Sequence, residues 1–434
     1  MIYNKNQKRF LLAGSLWSIY DGFTTFFLTA FALIFGASNE QIGLIAAIPY
    51  LSVILTELPG AKLLEFISRK WISFFSIIFS RSFWVFIILI PFLFNKNPVL
   101  FIIIFYLLIK IVELVSEPSW ISLMADITPE KIRGRYFGFR NMLINSFGSL
   151  AALIGGFYLD FYPKESFVGF LSLFFAGTLF GISTAIPVKN IKEPKFQDHH
   201  HHSLREFFSL KGELKVLCYS MFCFNFATMI ASPFFTVYML KNLEMSYRFF
   251  VIASIISTIT KIIAQPHIGK ISDRYGDKPV AIISTMATAF IPLIYFFITK
   301  EAIWLIIPAQ ILSGLAWAGV DISAFNLMLD KSNEKRRGLD IAEYTTFTSI
   351  PMVIGPIIGG FIADNVKLIF TGIPLLFLIA FFLRFIASLT LFHIKETRVK
   401  KEYPIMVVFK HFIALHPLKE IEYSFKIIRK RHWL

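Results

Sequence analysis

Eight ionisable residues stand where a chain this apolar should carry none. They are Asp21, Arg81, Lys110, Glu113, Glu117, Lys261, Asp321 and Arg384, each inside a long hydrophobic run. A charge in hydrocarbon is costly, so such groups normally face a water-filled cavity, a partner or a solute. A carboxylate in that setting has its charged form disfavoured by desolvation, which suits it to carrying a proton. Asp21 is the leading candidate for that work, because "SLWSIYDGFTTF" places it near the middle of its run. Lys110, Glu113 and Glu117 follow one another at i, i+3 and i+7 and share one helical face, where Lys110 and Glu113 can pair. Arg81 would oppose protonation of Asp21 if the two paired. Trp17, Trp120 and Trp317 could line a pocket, although with 51 Phe in the chain aromatic stripes carry little information.

The elements that must hold these residues follow from composition. The 434 residues are 56% hydrophobic and only 16% charged, with a mean hydropathy of +0.65. Soluble domains carry about 25% charged residues. The chain therefore reads as an integral membrane protein, and its long unbroken apolar runs point to helices rather than a barrel. Twelve runs approach bilayer length, at 10–36, 41–64, 72–94, 98–123, 139–160, 166–188, 215–240, 249–268, 279–298, 301–329, 340–363 and 368–392. The first reads as a span rather than a cleavable leader, since it is long and carries Asp21. Most Lys and Arg fall on alternate connections, among them Lys8, Arg69, Arg133, Lys192, Arg274 and Arg337, with more in the tail. This bias places both termini in the cytoplasm and accounts for much of the net charge of +15 without nucleic acid.

The chain also repeats itself. "LMADITPEKIRGRYFGFRN" from Leu123 is answered by "LMLDKSNEKRRGLDIAEYT" from Leu327. Asp126, Arg133, Gly155 and Asp160 are matched by Asp330, Arg337, Gly359 and Asp364, all at a spacing of 204. Two six-helix halves in parallel register explain this. At the same spacing Glu117 answers Asp321 and Asp21 answers Asn225. A polar island, "GKISDRYGDKPV" from Gly269, lies between spans 8 and 9; "AKLLEFISRK" from Ala61 answers it at a spacing of 208, with Glu65 opposite Asp273 and Lys70 opposite Lys278. A carboxylate there can cap a helix start. Gly269 and Gly276 would permit a tight turn and close helix contact.

The stretch GKISDRYGDK resembles the Gly-x-x-x-Asp-Arg-x-Gly-x-Lys loop signature of the major facilitator superfamily. The six-plus-six layout, the long central connection and the Arg-Gly pairs after spans 4 and 10 resemble it too, over residues 10–392. The family usually keeps its better copy of the signature after span 2, and here the copy after span 8 is the better one. The resemblance implies an all-α membrane protein of twelve transmembrane helices in two pseudo-symmetric six-helix bundles, residues 1–189 and 214–392. A cytoplasmic linker, 190–213, would join them, and a basic tail, 393–434, would follow. It implies that spans 1, 4, 7 and 10 line a central cavity, bringing together Asp21, Glu117, Asn225 and Asp321, with Lys110, Glu113 and Arg81 nearby. It implies gating by Glu65, Arg69, Gly269, Asp273, Arg274, Gly276 and Lys278, with Arg133 and Arg337 in the matching loops.

The expected function is secondary active transport of a small solute by alternating access, coupled to protons, from a plasma (inner) membrane. The acidic balance of the lining residues points toward efflux of cationic or amphipathic compounds. An uptake carrier for sugars or other metabolites, or a receptor or lipid-handling protein on the same fold, remains open. No phosphate loop, zinc-protease helix or nucleophile elbow is present, so no enzyme activity, cofactor or metal is expected. The partners expected are the solute, protons and lipids, with the protein a monomer. The central tract His199 to His202 reads as a linker, though such tracts can bind metals. Gly355 to Gly360, "GPIIGG", reads as a close-packing element. In the tail, Leu418, Ile421, Phe425 and Ile428 recur at helical spacing among basic residues, as an interfacial helix on an anionic leaflet would.

Overall fold

The computed structural model describes residues 3–194, 212–333, 337–396, 398–399 and 403–413. Twelve helical spans follow in chain order: span 1 (Lys5–Ile34), span 2 (Asn39–Glu57), span 3 (Arg69–Leu93), span 4 (Pro98–Met124), span 5 (Tyr136–Leu159), span 6 (Val168–Lys189), span 7 (Gly212–Asn242), span 8 (Tyr247–Tyr275), span 9 (Asp277–Phe296), span 10 (Ile303–Lys331), span 11 (Leu339–Asn365) and span 12 (Gly372–His393). In hydrocarbon a backbone must satisfy its own polar groups, which the helix does. The outward faces stay apolar: Phe92, Phe161, Ile186 and Phe382 are all more than half exposed. In water such a surface would aggregate; in lipid it is the solvated one.

Several spans are interrupted, and each interruption is stitched locally. Span 1 breaks at Thr24, whose hydroxyl donates to the Tyr20 carbonyl at 2.7 Å. Span 4 breaks at Val115 and Ser116, and the Ser116 hydroxyl donates to the Glu113 carbonyl at 2.9 Å. Span 7 breaks after Met229. There the buried guanidinium of Arg384, from span 12, donates to the Thr228 carbonyl at 3.1 Å and to that of Thr288 on span 9 at 3.0 Å. Side chains thus share the carbonyls at each break with the backbone amides that still reach them.

Contacts divide the chain into two compact units. The first holds Met1–His200 with Pro233–Ile252 and Pro356–Asp364; the second holds His201–Ser232, Ala253–Gly355 and Asn365–Leu434. Two of the repeat's landmarks do matched work inside the first unit. Asp160, just past span 5, accepts from the amide of Tyr247 at 2.8 Å, at the start of span 8. Asp364, near the end of span 11, accepts from the amide of Glu40 at 2.9 Å and from Asn39 Nδ2 at 2.7 Å, at the start of span 2. Each carboxylate sits where a helix N-terminus favours negative charge. Glycines set the packing: a Cβ on Gly43 would collide with the Pro356 carbonyl oxygen, and one on Gly360 would lie 2.6 Å from that of Asn39. In the second unit a Cβ on Gly355 would lie 3.0 Å from Met229 Cβ. The GPIIGG element is therefore pressed against backbone on both sides of its proline.

Two sequence expectations change. The polar island after span 8 is not a loop: the helix runs through Asp273 and Arg274 to Tyr275, and Gly276 alone separates it from span 9. Span 8 extends past its apolar stretch because the added turns are amphipathic, burying Ile271 and Tyr275 and exposing Asp273 and Arg274. Gly269 is consequently a mid-helix residue with open space around it, so it provides neither a turn nor a close contact. Gly276 does both, with φ +94° and with Glu396 Oε2 standing where its Cβ would be. After span 12 the chain folds back along this junction. The last of the described residues form a short helix, Ile405–Ile413, whose Val408 and Phe412 are buried among Ile268, Val280 and Ala318. His199 to His202 and the stretch from Leu418 to Ile428 lie outside the described residues.

Candidate functional site

The ionisable residues of spans 1, 3 and 4 form one network inside the first unit. Glu113 is its centre. Its Oε1 accepts from Arg81 NH2 at 2.9 Å and from Trp17 Nε1 at 3.3 Å, and its Oε2 accepts from Lys110 Nζ at 2.8 Å. Arg81 is 2% exposed, lies 4.2 Å above the Tyr20 ring and donates to Ser80 Oγ. The Tyr20 hydroxyl in turn accepts from Trp84 Nε1 at 2.6 Å. Two buried cations thus share one carboxylate, an arrangement that survives desolvation only because every charge has a partner at hydrogen-bond distance. Arg81 therefore goes to Glu113 and not to Asp21, and among the described residues Asp21 makes no ion pair.

Beside this network lies a cavity of about 330 Å³, lined by Trp17, Ile77, Arg81, Glu113, Glu117, Trp120, Met124 and Arg140. Glu113 is neutralised there by its cations. Glu117 is exposed into the site. Trp120 is held by Phe10, ring centroids 4.5 Å apart. The cavity therefore combines aromatic faces with the Glu117 carboxylate and the guanidinium groups of Arg81 and Arg140, which suits a small amphipathic molecule. Asp21 is not among its lining residues.

In the second unit Asp321 is paired: Lys261 Nζ from span 8 lies 2.5 Å from its Oδ2. Asn225 is buried and donates to the Thr348 carbonyl at 3.2 Å. Trp317 packs on Phe224. Of the four residues matched by the repeat, Asp21 and Glu117 belong to the first unit and Asn225 and Asp321 to the second.

Three of the expected gating residues, Arg69, Asp273 and Lys278, lie in two further networks, one per unit. In the first unit Arg69, at the start of span 3, is 2% exposed and pairs with Asp126 at 2.6 Å and with Glu193 at 3.1 Å. Arg69 also donates to Ser122 Oγ, and Glu193 accepts from the backbone amides of Arg69 and Lys70. The second unit builds the same junction with the charges exchanged. Asp277, fully buried at the start of span 9, accepts from Asn326 Nδ2 at 2.9 Å, from Arg398 NH1 at 3.1 Å and from Ser272 Oγ. Glu396 accepts from the amide of Lys278 at 2.8 Å, as Glu193 does from Lys70. Asp273 completes the set with Arg398 NH2 at 2.5 Å. The hydrogen bond to Asp277 and the neighbouring carboxylates raise the Arg398 guanidinium above its ordinary pKa. Arg274 lies over the Tyr275 ring, and Glu65 sits in the exposed turn after span 2. The side chains of Arg133 and Arg337 are outside the described set.

Sequence reasoning missed Glu193, Glu396 and Arg398. A signal was present: Ile191-Lys192-Glu193 recurs as Ile394-Lys395-Glu396 at a spacing of 203, directly after spans 6 and 12.

Comparisons with known proteins agree with this architecture. A family model described as "Major Facilitator Superfamily" matches residues 10–218 and again 217–434. A point mutant of the nucleoside transporter NupG superposes with a TM-score of 0.72 at 12% identity, covering 90% of this chain and 100% of that one. A D-xylose-proton symporter gives a TM-score of 0.69 at 14% identity, covering 92% and 98%. In sequence, the chain is 27% identical over 106 residues to the class B tetracycline resistance protein of Escherichia coli, 24% of this chain and 26% of that protein. It is 28% identical over 198 residues to the multi-drug resistance efflux pump PmrA of Streptococcus pneumoniae, 43% and 46% of the two lengths. The chain thus spans about a quarter to a half of these curated relatives. Two consecutive family matches, twelve membrane-length helices and shared fold with solved transporters lead to one conclusion: the chain belongs to the Major Facilitator Superfamily, as a multi-pass membrane transporter rather than an enzyme.

Proposed function

We propose that this transporter is proton-coupled and exports a small amphipathic solute, with Asp21 as the proton carrier and the cavity of spans 1, 3, 4 and 5 as a solute site. The observation that carries the reading is the contrast between Asp21 and Glu113. Glu113 is locked by Arg81, Lys110 and Trp17 and serves as a fixed charge. Asp21, one residue beyond Tyr20 in the same network, makes no ion pair among the described residues. It can therefore take up and release a proton without dismantling the site. Proton release would be felt by the Arg81–Glu113–Lys110 cluster through charge, and the break at Thr24 lies three residues further along span 1.

Export is supported by the names of the relatives, a tetracycline resistance protein and a multidrug efflux pump. Alternating access between six-helix halves, 1–189 and 214–392, is the mode of transport we assign. The cytoplasmic junctions at Arg69 and Asp277 would be remade in each cycle. Both termini are taken to be cytoplasmic, the protein to act as a monomer in the inner membrane, and its tail to meet lipid headgroups. Reconstituted protein tested with a series of amphipathic solutes against an imposed pH gradient decides the point. Solute-dependent proton movement supports the reading; solute flux that ignores the gradient contradicts proton coupling, and binding without any flux contradicts transport.

A further inference from the structure

Spans 2 and 4 of the first unit close on each other: a Cβ on Gly60 would collide with the Val115 carbonyl oxygen. At the repeat's spacings of 208 and 204 these residues are answered by Ile268 of span 8 and Gly319 of span 10. The contact is not repeated there. A Cβ on Gly319 would meet Ser284 of span 9 and, at 3.4 Å, Phe412 Cζ of the helix Ile405–Ile413. Phe412 and Val408, one turn apart on that helix, share a buried apolar cluster with Ala264 and Ile268 of span 8, Val280 of span 9 and Ala318 of span 10. The helix that follows span 12 thus stands where, in the first unit, two spans meet directly. It stands beside a charged bridge. Lys261 of span 8 and Asp321 of span 10 pair at 2.5 Å. Ala264 follows Lys261 by three residues and Ala318 precedes Asp321 by three, so each cluster residue shares a helix face with its charge, one turn away. Ahead of the pair in both spans, a Cβ on Gly314 would collide with the Ser257 carbonyl oxygen. Spans 8 and 10 therefore touch backbone to backbone before the bridge and have the added helix against them beyond it.

We propose that the helix Ile405–Ile413 is a removable wedge that sets the spacing of spans 8 and 10, and with it the Lys261–Asp321 bridge. Seated, it holds the two spans apart beyond the pair. Lifted, it leaves span 8 free to close on Gly319, as span 2 closes on Val115. The small residues Ala264, Ala318 and Gly319 permit that approach. The wedge is removable by construction. It is nine residues long, it buries Val408 and Phe412, and Met406 and Phe409 on its other side are 65% and 43% exposed. So short a helix keeps its shape only while docked. Polar contacts tether it in register: the Tyr275 hydroxyl lies 3.1 Å from His411 Nε2, and His267 Nε2 lies 3.3 Å from the His411 carbonyl oxygen. A segment outside the twelve spans thereby acts on an ion pair within them. The inference goes beyond the transport reading and does not depend on it.

The test is the distance between spin labels placed by Lys270→Cys and Phe325→Cys, both on exposed positions of spans 8 and 10, in the full-length protein. Cys223→Ser removes the exposed native thiol, and Cys218 is buried. Val408→Ala with Phe412→Ala should shorten the distance by about 2 Å, the spread between closely and widely packed helices. The same pair should speed hydrogen exchange of peptide 405–413 at least about tenfold. Met406→Ala with Phe409→Ala, on the exposed side, should do neither. Ending the chain at Pro404 removes the helix altogether and should give the same shortening should the double variant not fold. Faster exchange with an unchanged distance overturns the wedge, because the helix then leaves without consequence for spans 8 and 10. Unchanged exchange overturns the docking on which it rests, as does an equal shortening from the exposed-side pair.

Discussion

Removing the carboxylate of Asp364 should loosen the start of span 2 without disturbing its interior. Asp364 accepts from the Glu40 amide at 2.9 Å and from Asn39 Nδ2 at 2.7 Å, and it is exposed. Loss of a helix-capping acceptor costs about 0.5–2 kcal/mol, and solvent screening places this one near the lower half, about 1 kcal/mol for Asp364→Ala. Asp160 does the same for span 8 through the Tyr247 amide at 2.8 Å, with Arg248 Nε at 3.3 Å. The two sites share no partner, so the double variant should lose about 2 kcal/mol. At each helix start separately the loss is about 1 kcal/mol, roughly a fivefold rise in its own open population. Hydrogen exchange read by mass spectrometry on peptides 37–42 and 244–250 measures it directly. Each single variant should speed exchange about fivefold in its own peptide only, and Asp364→Asn, which keeps an acceptor, should fall between. Unchanged exchange in both peptides of the double variant would refute the capping role.

Three other outcomes follow from the geometry. Glu113→Gln leaves Arg81 and Lys110 buried without their shared counter-ion, and should lower stability by about 3–5 kcal/mol in a thermal unfolding assay. Combining it with Lys110→Gln should recover part of that loss. Gly276→Ala must adopt φ +94° with a Cβ driven into Glu396 Oε2, so it should cost about 1–3 kcal/mol and expose the segment after span 12 to protease. Gly269→Ala, mid-helix in open space, should be neutral or stabilise by up to about 1 kcal/mol; equal effects at the two glycines would contradict the continuous helix through Asp273.

Much of the architecture was legible because hydropathy and charge act over whole helices. An apolar run of bilayer length has few alternatives to a span, and the bias of Lys and Arg orders the connections. The repeat was legible because polar residues at and between helix ends, such as Asp126, Arg133 and Asp160, recur at one spacing. What stayed hidden depends on contacts distant in sequence. Arg81 could have met Asp21 or Glu113, and only the packing of spans 1, 3 and 4 chooses Glu113. The interruption at Ser116 comes two residues before Pro118, which has no N–H for the Leu114 carbonyl, and that at Thr24 two residues after Gly22, yet neither residue stands out within so long an apolar run. Asp160 and Asp364 were visible as landmarks, but not as caps, since their partners lie 87 and 324 residues away. Glu193 and Glu396 were overlooked because their three-residue repeat is short and lies outside the apolar runs. The polar island misled because a helix leaving the membrane changes composition without changing conformation.

The central claim is that Asp21 carries the coupled proton. Its most direct test is the response of a lumenal pH dye in proteoliposomes when a transported solute is added to native protein and to Asp21→Asn. The account predicts solute-driven proton movement in the native protein and none in Asp21→Asn, with solute binding retained because the cavity lining is untouched. Undiminished proton movement in a folded Asp21→Asn protein would contradict it.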